Sequence, residues 1–419
     1  MQTNHLKNLT IIFFLGLLLF PSLFFYPFGS LSYGIIIFSS LLVSYALIFH
    51  NNLFTAKYLN LFIRIYPIII CLIFLHFLIT TLFASNVNYI RFFLSFIALI
   101  IFFLATTVFS SLLIKIYELN FFDIIFKIIF YIILLLSFLG ILRYSSFSPF
   151  YYNTNIYLTI FSEPSHLAIS ILPFIAYFIL SAKNFRTKIK LIFLFLVISL
   201  LLKSATLLVA IFLFLFLFFS LRQLFNLLLF LILICFIVYI AGLDKFLETL
   251  IDFKYFHERL TLNMNPDDKV NLSVLIFLAG YHEIYLNLKN TLYTGIGFQQ
   301  LGFLGEQSFI KELIFLNSGT FEYSRNKDAS FLFGKYISEF GLFGIITILF
   351  YFKYFINNLI DIKKEVSKDN NLNLFFSACV ISFPIELFLR GAGYFTTSSF
   401  LLLVSIFGQK LLKYNDKEN

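Results

Sequence analysis

Ser162-Glu163-Pro164-Ser165-His166 sets a carboxylate and an imidazole close together just ahead of an apolar run. Pro164 suits the first turn of a helix and Ser162 or Glu163 suits its cap, so the stretch reads at least as a helix start. A helix start also turns free N–H groups and the positive end of the helix dipole toward an anion. A Glu and a His that open an apolar run must be partnered or functional, and either could take a proton from a hydroxyl. Three cations extend this set: Arg143 and Arg390 at the ends of apolar runs, and Lys203 in the break Lys203-Ser204-Ala205-Thr206 between two short ones. Each could snorkel to lipid headgroups or bind a phosphate. Arg91 reads as an ordinary interface anchor.

Other stretches carry weaker patterns. Gly295-Ile296-Gly297 opens a turn-rich stretch, but Gln300 stands where a dinucleotide fingerprint needs its third glycine. Close backbone approach or a turn is the expectation there. His282-Glu283 is not a zinc-protease motif, since Leu286 replaces the second His, and Asp267-Asp268 lacks partners at metal-ligand spacing. Arg325-Asn326-Lys327-Asp328 precedes a run in which Lys335 and Glu339, one turn apart, read as an intrahelical pair. Gly341 and Gly344 in the same run read as a small-residue face for close helix packing. Cys71, Cys235 and Cys379 all fall inside apolar runs, which suggests neither a disulfide framework nor a zinc site.

The elements that must hold these residues are transmembrane helices. The chain is 60% hydrophobic and 12% charged, with a mean hydropathy of +0.95, against about 25% charged for an ordinary soluble domain. Runs of the about 17–25 residues that cross a hydrocarbon core lie near 11–27, 32–49, 61–83, 92–114, 121–142, 224–241, 331–352, 372–389 and 394–412, with shorter ones near 167–182, 189–202 and 206–219. The predicted fold is an all-α integral membrane protein of about 12 transmembrane helices, with one large outer loop between helices 9 and 10. Residues 1–241 carry the first nine helices. Residues 242–330 form a periplasmic or extracellular loop with short helices near 246–260, 272–288 and 308–316, and residues 331–419 carry helices 10–12 and a cytoplasmic tail.

Charge gives the orientation. With both termini cytoplasmic, Lys7, Lys183, Arg186, Lys188, Lys190 and Lys410 fall inside, while the short outer loops carry only Arg91, Arg143, Lys203 and Arg390. The first run reads as an uncleaved helix. The net charge of +9 serves topology and anionic membrane lipid, so no nucleic-acid partner is expected. Paired halves, the mark of a secondary transporter, are not evident.

The arrangement resembles the O-antigen polymerase (Wzy) family and the related O-antigen ligases, which have many spans and one large outer loop late in the chain. Local patterns match at FSEPSHLA (161–168), KSAT (203–206), TGIGFQQLG (294–302) and DASFLFGKYISEFGLFG (328–344). The first and last are the most specific, because the family often has Glu-Pro after a span and a Glu-Gly-Leu-x-Gly-like run in the helix after the loop. The chain departs from the pattern at Asp328-Ala329, where the family often has His-Asn, and at Ala205, where an Arg commonly follows the Ser. Its loop offers Arg259 and Arg325 in place of an Arg-rich segment.

The resemblance implies a glycosyltransferase of the bacterial inner membrane that polymerises undecaprenyl- or other polyprenyl-diphosphate-linked oligosaccharide repeat units for lipopolysaccharide or capsule, with such molecules as both donor and acceptor. Arg143, Arg390 and Lys203 would hold the diphosphate. Glu163 is the first choice of general base, with His166 or Asp328 next. Gly295, Gly297 and Arg325 would belong to a loop that keeps water out. Neither metal nor cofactor is implied, and a chain-length regulator is the expected protein partner. A ligase-type transferase of finished glycan is the near alternative. A flippase or other transporter is the distant one, kept open by Glu339 and Glu386 inside spans.

Overall fold

A computed structural model describes residues 2–24, 31–49, 56–83, 87–144, 161, 163–220, 222–223, 272–304, 308–318, 331–367, 370–391 and 393–415. Among these the architecture is all-helical, apart from an isolated bridge between Leu301 and Leu304. The helices are α1 (Gln2–Leu23), α2 (Leu31–Phe49), α3 (Ala56–Phe83), α4 (Tyr89–Glu118), α5 (Phe122–Tyr144), α6 (Pro164–Ser181), α7 (Phe185–Leu201) and α8 (Ala205–Phe218). They continue with α9 (Leu272–Asn290), α10 (Ile310–Ser318), α11 (Leu332–Ser367), α12 (Asn371–Ser382), α13 (Pro384–Phe388) and α14 (Thr397–Asn415). Taking α12 and α13 as one span, seven of the described helical segments are long and apolar enough to cross a membrane, and two shorter apolar helices accompany them. The protein is therefore membrane-embedded and helical. Each apolar segment expected from the sequence coincides with helix except 224–241, which lies outside the described residues.

Local chemistry sets the helix ends. The side chains of Asn88, Ser204 and Asn370 accept hydrogen bonds from the first turns of α4, α8 and α12, satisfying N–H groups that a helix start leaves open. Asn120 ends α4 and Lys203 ends α7 with positive φ, 59° and 53°. Pro384 divides the single span expected over 372–389 into α12 and α13, because proline has no N–H to continue the ladder. α11 runs past its expected end at 352 to Ser367 and is broken at Gly341, with φ 55° and ψ −131°.

The centre of the bundle is α4, α6, α12 and α14, with α1 and α2 against α4 and with α11 against α12. Lipid is as apolar as leucine, so close packing instead of water exclusion must hold such helices together. Phenylalanine rings supply it edge to face. Phe14 meets Phe109 at 5.1 Å and Phe174 at 5.8 Å, Phe126 meets Phe375 at 4.7 Å, and Phe109 meets Phe400 at 5.6 Å. α3 and the middle of α11 turn broad apolar faces outward, including Ile68, Leu72, Leu75 and Leu82 on one and Leu342, Phe343, Leu349 and Phe350 on the other. These are surfaces for hydrocarbon.

Two ends of the bundle result. One has Lys7 over the Phe121 ring at 5.7 Å and Asn371 hydrogen-bonded to Asp123 at 2.7 Å, with Lys183, Arg186 and Lys410 at helix ends on that side. The other carries Arg91, Arg143, Lys203 and Arg390 at helix ends. The candidate site lies there.

Candidate functional site

Glu163 occupies the cap position of α6, followed by Pro164 in the first turn. Its backbone carbonyl accepts from the N–H of His166 at 3.1 Å and of Leu167 at 3.4 Å. Its carboxylate makes no capping bond to the helix. Instead one oxygen, Oε2, accepts from the Ser165 hydroxyl at 3.0 Å and from Arg390 Nη2 at 2.5 Å. His166 Nε2 lies 3.8 Å from the same oxygen. A carboxylate that only ended a helix would point back at its N–H groups; this one faces a cation supplied 227 residues away in sequence.

Arg390 comes from the stretch between α13 and α14. Its N–H returns to the Ile385 carbonyl at 3.1 Å, which turns the chain at the end of α13. The Arg390 side chain is 16% exposed and the Glu163 side chain 42%, so the pair sits in a mouth and not in the core. His166 is buried beneath it.

Arg143 closes α5 and donates from Nη1 to the Phe161 carbonyl at 3.5 Å, which ties the end of α5 to the start of α6. Leu202 packs into the space left by Gly140: a Cβ there would fall 2.7 Å from Leu202 Cδ2 and 3.6 Å from Leu167 Cδ2. Lys203 therefore stands beside α5 and α6 at the same end as Glu163. The structure thus brings Glu163, His166, Arg143, Lys203 and Arg390 to one end of the bundle. Asp328 and Arg325 lie outside the described residues.

Gly295 and Gly297 belong to a second construction beside it. Gly295 has φ +86° and Gly297 φ +97°. Gly295 lies flat on the break in α11, where a Cβ would be 2.5 Å from the Glu339 carbonyl, and a Cβ on Gly341 would be 2.1 Å from the Tyr293 carbonyl. Only backbone fits between them. The turn then takes up the hydrogen bonds that the break frees: Ile296 N–H to Ser338 O at 3.0 Å, Gly297 N–H to Glu339 O at 2.9 Å, and Leu342 N–H to Tyr293 O at 2.9 Å. Gly341 is thus a kink that receives a loop, and the expected small-residue packing face with Gly344 is replaced by this backbone notch.

Glu339 keeps Lys335 as its charge neighbour one turn away, as expected, and gains further partners. Its carboxylate accepts from Gln299 N–H at 2.8 Å, from Leu301 N–H at 3.1 Å and from the Tyr394 hydroxyl at 2.6 Å. Lys335 lies over the Tyr394 ring at 5.3 Å. Arg91, read from the sequence as an interface anchor, instead clamps the turn. Its guanidinium donates to Leu301 O at 3.1 Å and Gln299 Oε1 at 3.2 Å, and covers the Phe303 ring at 4.9 Å. Gln300 brackets Asn88 through both ends of its amide, and His76 Nε2 donates to the Thr294 carbonyl at 2.8 Å. Hydropathy sees a polar loop and a cation; no signal in it says that one folds onto the other.

Among the described residues no three His, Cys, Asp or Glu side chains gather as a metal site would need. Comparison with family models, with curated proteins and with solved structures returned no match.

Proposed function

We propose that this chain is a glycosyltransferase that polymerises polyprenyl-diphosphate-linked oligosaccharide repeat units, of O-antigen or capsule type, at the outer face of a bacterial inner membrane, with about 12 spans and both termini in the cytoplasm. The observation that carries the reading is the Glu163–Arg390 pair at 2.5 Å, its carboxylate side 42% exposed and its arginine side 16%, with His166 3.8 Å from the same oxygen. A carboxylate and a guanidinium side by side at one end of a lipid-embedded bundle support reading the first as a base and the second as a diphosphate-binding cation.

The reaction follows from that pairing. Arg390 presents a planar fork of donors that suits a diphosphate. An arriving donor competes with Glu163 for it, and the carboxylate is released as the site fills. The acceptor hydroxyl then gives its proton to Glu163 while its oxygen bonds to the anomeric carbon of the donor. The bond from that carbon to the diphosphate oxygen breaks, and the polyprenyl diphosphate leaves against Arg390, with Arg143 and Lys203 at the same end to share its charge. His166 is placed to take the proton onward from Glu163. The outward apolar faces of α3 and α11 give the polyprenyl tail a hydrocarbon surface to follow.

The test is purified protein in vesicles with a single lipid-linked repeat unit. The expected result is a ladder of lengthened lipid-linked products with one polyprenyl diphosphate released per new bond. Folded protein that yields neither overturns the proposal. A deletion strain that accumulates long polymer on the lipid carrier, instead of single repeat units, would assign the chain to the ligase alternative.

A further inference from the structure

No hydrogen bond joins Glu339 to Glu163 or Arg390, yet every hydrogen-bond donor it holds belongs to one of two segments, the 294–304 turn and the stretch that carries Arg390, with Lys335 as its charge neighbour on α11. On one side are the N–H groups of Gln299 and Leu301, in the turn that lies on the α11 break. On the other is the hydroxyl of Tyr394, four residues beyond Arg390 in the same connecting stretch. Glu339 is fully buried, so water does not substitute for any of these donors. The Tyr394 ring reinforces the join by packing against Phe298 of the turn at 5.3 Å and Phe340 of α11 at 6.3 Å. The stretch is anchored a second time at Gly391, where a Cβ would come within 2.6 Å of the Leu332 N–H group that starts α11.

From this we infer that Glu339 is a positioning residue: through Tyr394 it fixes the stretch that carries Arg390, and through Gln299 and Leu301 it makes the 294–304 turn part of the same rigid unit. The role in transfer rests on the polymerase reading, but the coupling of the two segments does not. A carboxylate suits the task because it offers lone pairs on both oxygens and no donor. It can hold three donors at once in a place where an unpaired backbone N–H is costly. Arg390 itself lies in neither helix nor strand, just beyond α13, and owes its direction to this frame. An Arg aimed at a diphosphate needs its backbone held to a fraction of an ångström.

Tyr394→Phe removes the hydroxyl and keeps the ring. In full-length protein in nanodiscs, amide exchange should rise in 296–301 and in 389–396 together, by on the order of tenfold, the weight of one hydrogen bond to a charged group. Faster exchange in 389–396 with 296–301 unchanged overturns the inference. Glu339→Gln sets an amide NH₂ group against a backbone N–H and should exceed Tyr394→Phe in both segments. In the transfer assay Tyr394→Phe should lower kcat about tenfold with the donor KM within about twofold, and should have no further effect in an Arg390→Lys background. Multiplicative losses in the double variant overturn the positioning role. Wild-type protein that makes no polymer but shows the coupled exchange removes the polymerase reading and leaves Glu339 as the joint between the segments.

Discussion

Glu163→Gln isolates the charge and basicity of one side chain, because glutamine keeps the shape and still accepts from Ser165 and Arg390. Its structural cost is small. The Glu163 carboxylate caps none of the backbone N–H groups at the start of α6, so what is lost there is its favourable place at the helix dipole, about 0.3–1 kcal/mol. The Arg390 pair is 42% exposed on the carboxylate side, and a pair so open contributes about 0–1 kcal/mol. The two together stay below about 2 kcal/mol, so the variant should reach the membrane at near wild-type abundance. Loss of a general base costs about 10²–10⁴ in rate, or about 3–5 kcal/mol of transition-state stabilisation. The assay is release of polyprenyl diphosphate by purified protein, alongside its melting temperature. The expected outcome is a fall in kcat of at least about 100-fold with Tm lowered by only a few degrees. Turnover within about threefold of wild type, at equal abundance, would refute the base assignment and leave His166 and Asp328 to be tested.

Arg143→Ala and Arg390→Ala should each abolish polymer formation without loss of protein from the membrane, and Arg390→Lys should restore activity only in part, because an ammonium lacks the planar fork; normal polymer from both alanine variants would remove the diphosphate role. Gly341→Ala places a Cβ 2.1 Å from the Tyr293 carbonyl at a φ of +55°, and should sharply reduce folded protein in fluorescence-detected size exclusion, whereas Gly344→Ala should be much milder. Lys311→Met strands the buried Glu283 carboxyl, its ion-pair partner, and should destabilise by about 3–5 kcal/mol near neutral pH. Burial raises the Glu283 carboxyl from its ordinary value against the opposing pull of Lys311. Its folded state therefore binds a proton more readily than the unfolded chain, and its contribution to stability is present in acid and lost as pH rises through the folded-state value. The Tm deficit of Lys311→Met should accordingly shrink in mild acid, and a deficit independent of pH would count against the buried-charge explanation. Glu312 is exposed on α10, and Glu312→Cys should react with an impermeant maleimide in intact spheroplasts; labelling only after permeabilisation would reverse the proposed orientation.

Helical character was legible because runs of Leu, Phe and Ile of crossing length have no other stable form in a bilayer. Even the short segments near 167–182, 189–202 and 206–219 correspond to α6, α7 and α8. The break at Pro384 was available from the residue type, but the break at Gly341 was not: a glycine in an apolar run looks the same whether it packs against a helix or yields to a loop. The near part of the site was legible because Glu163, Ser165 and His166 are neighbours in sequence. Charge and span ends also grouped Arg143, Lys203 and Arg390 with them, but the contacts themselves were not legible, since nothing local relates Glu163 to Arg390, or Arg91 to Gln299. Those pairings are decided by which helices pack together, and packing is carried by phenylalanines too numerous, 63 in the chain, to distinguish one partner helix from another.

The notch in α11 has a consequence for biogenesis. Synthesis runs from the amino terminus, so Tyr293, Ile296 and Gly297 exist before the Ser338, Glu339 and Leu342 backbone groups they will satisfy. α3 and α4 exist earlier still, and they already present His76, Asn88 and Arg91 to the turn. The turn can settle on that platform while the ribosome is still making α11, which then enters beside a template that decides where it bends. The kink in α11 thus has its backbone partners in a turn that is synthesised before it.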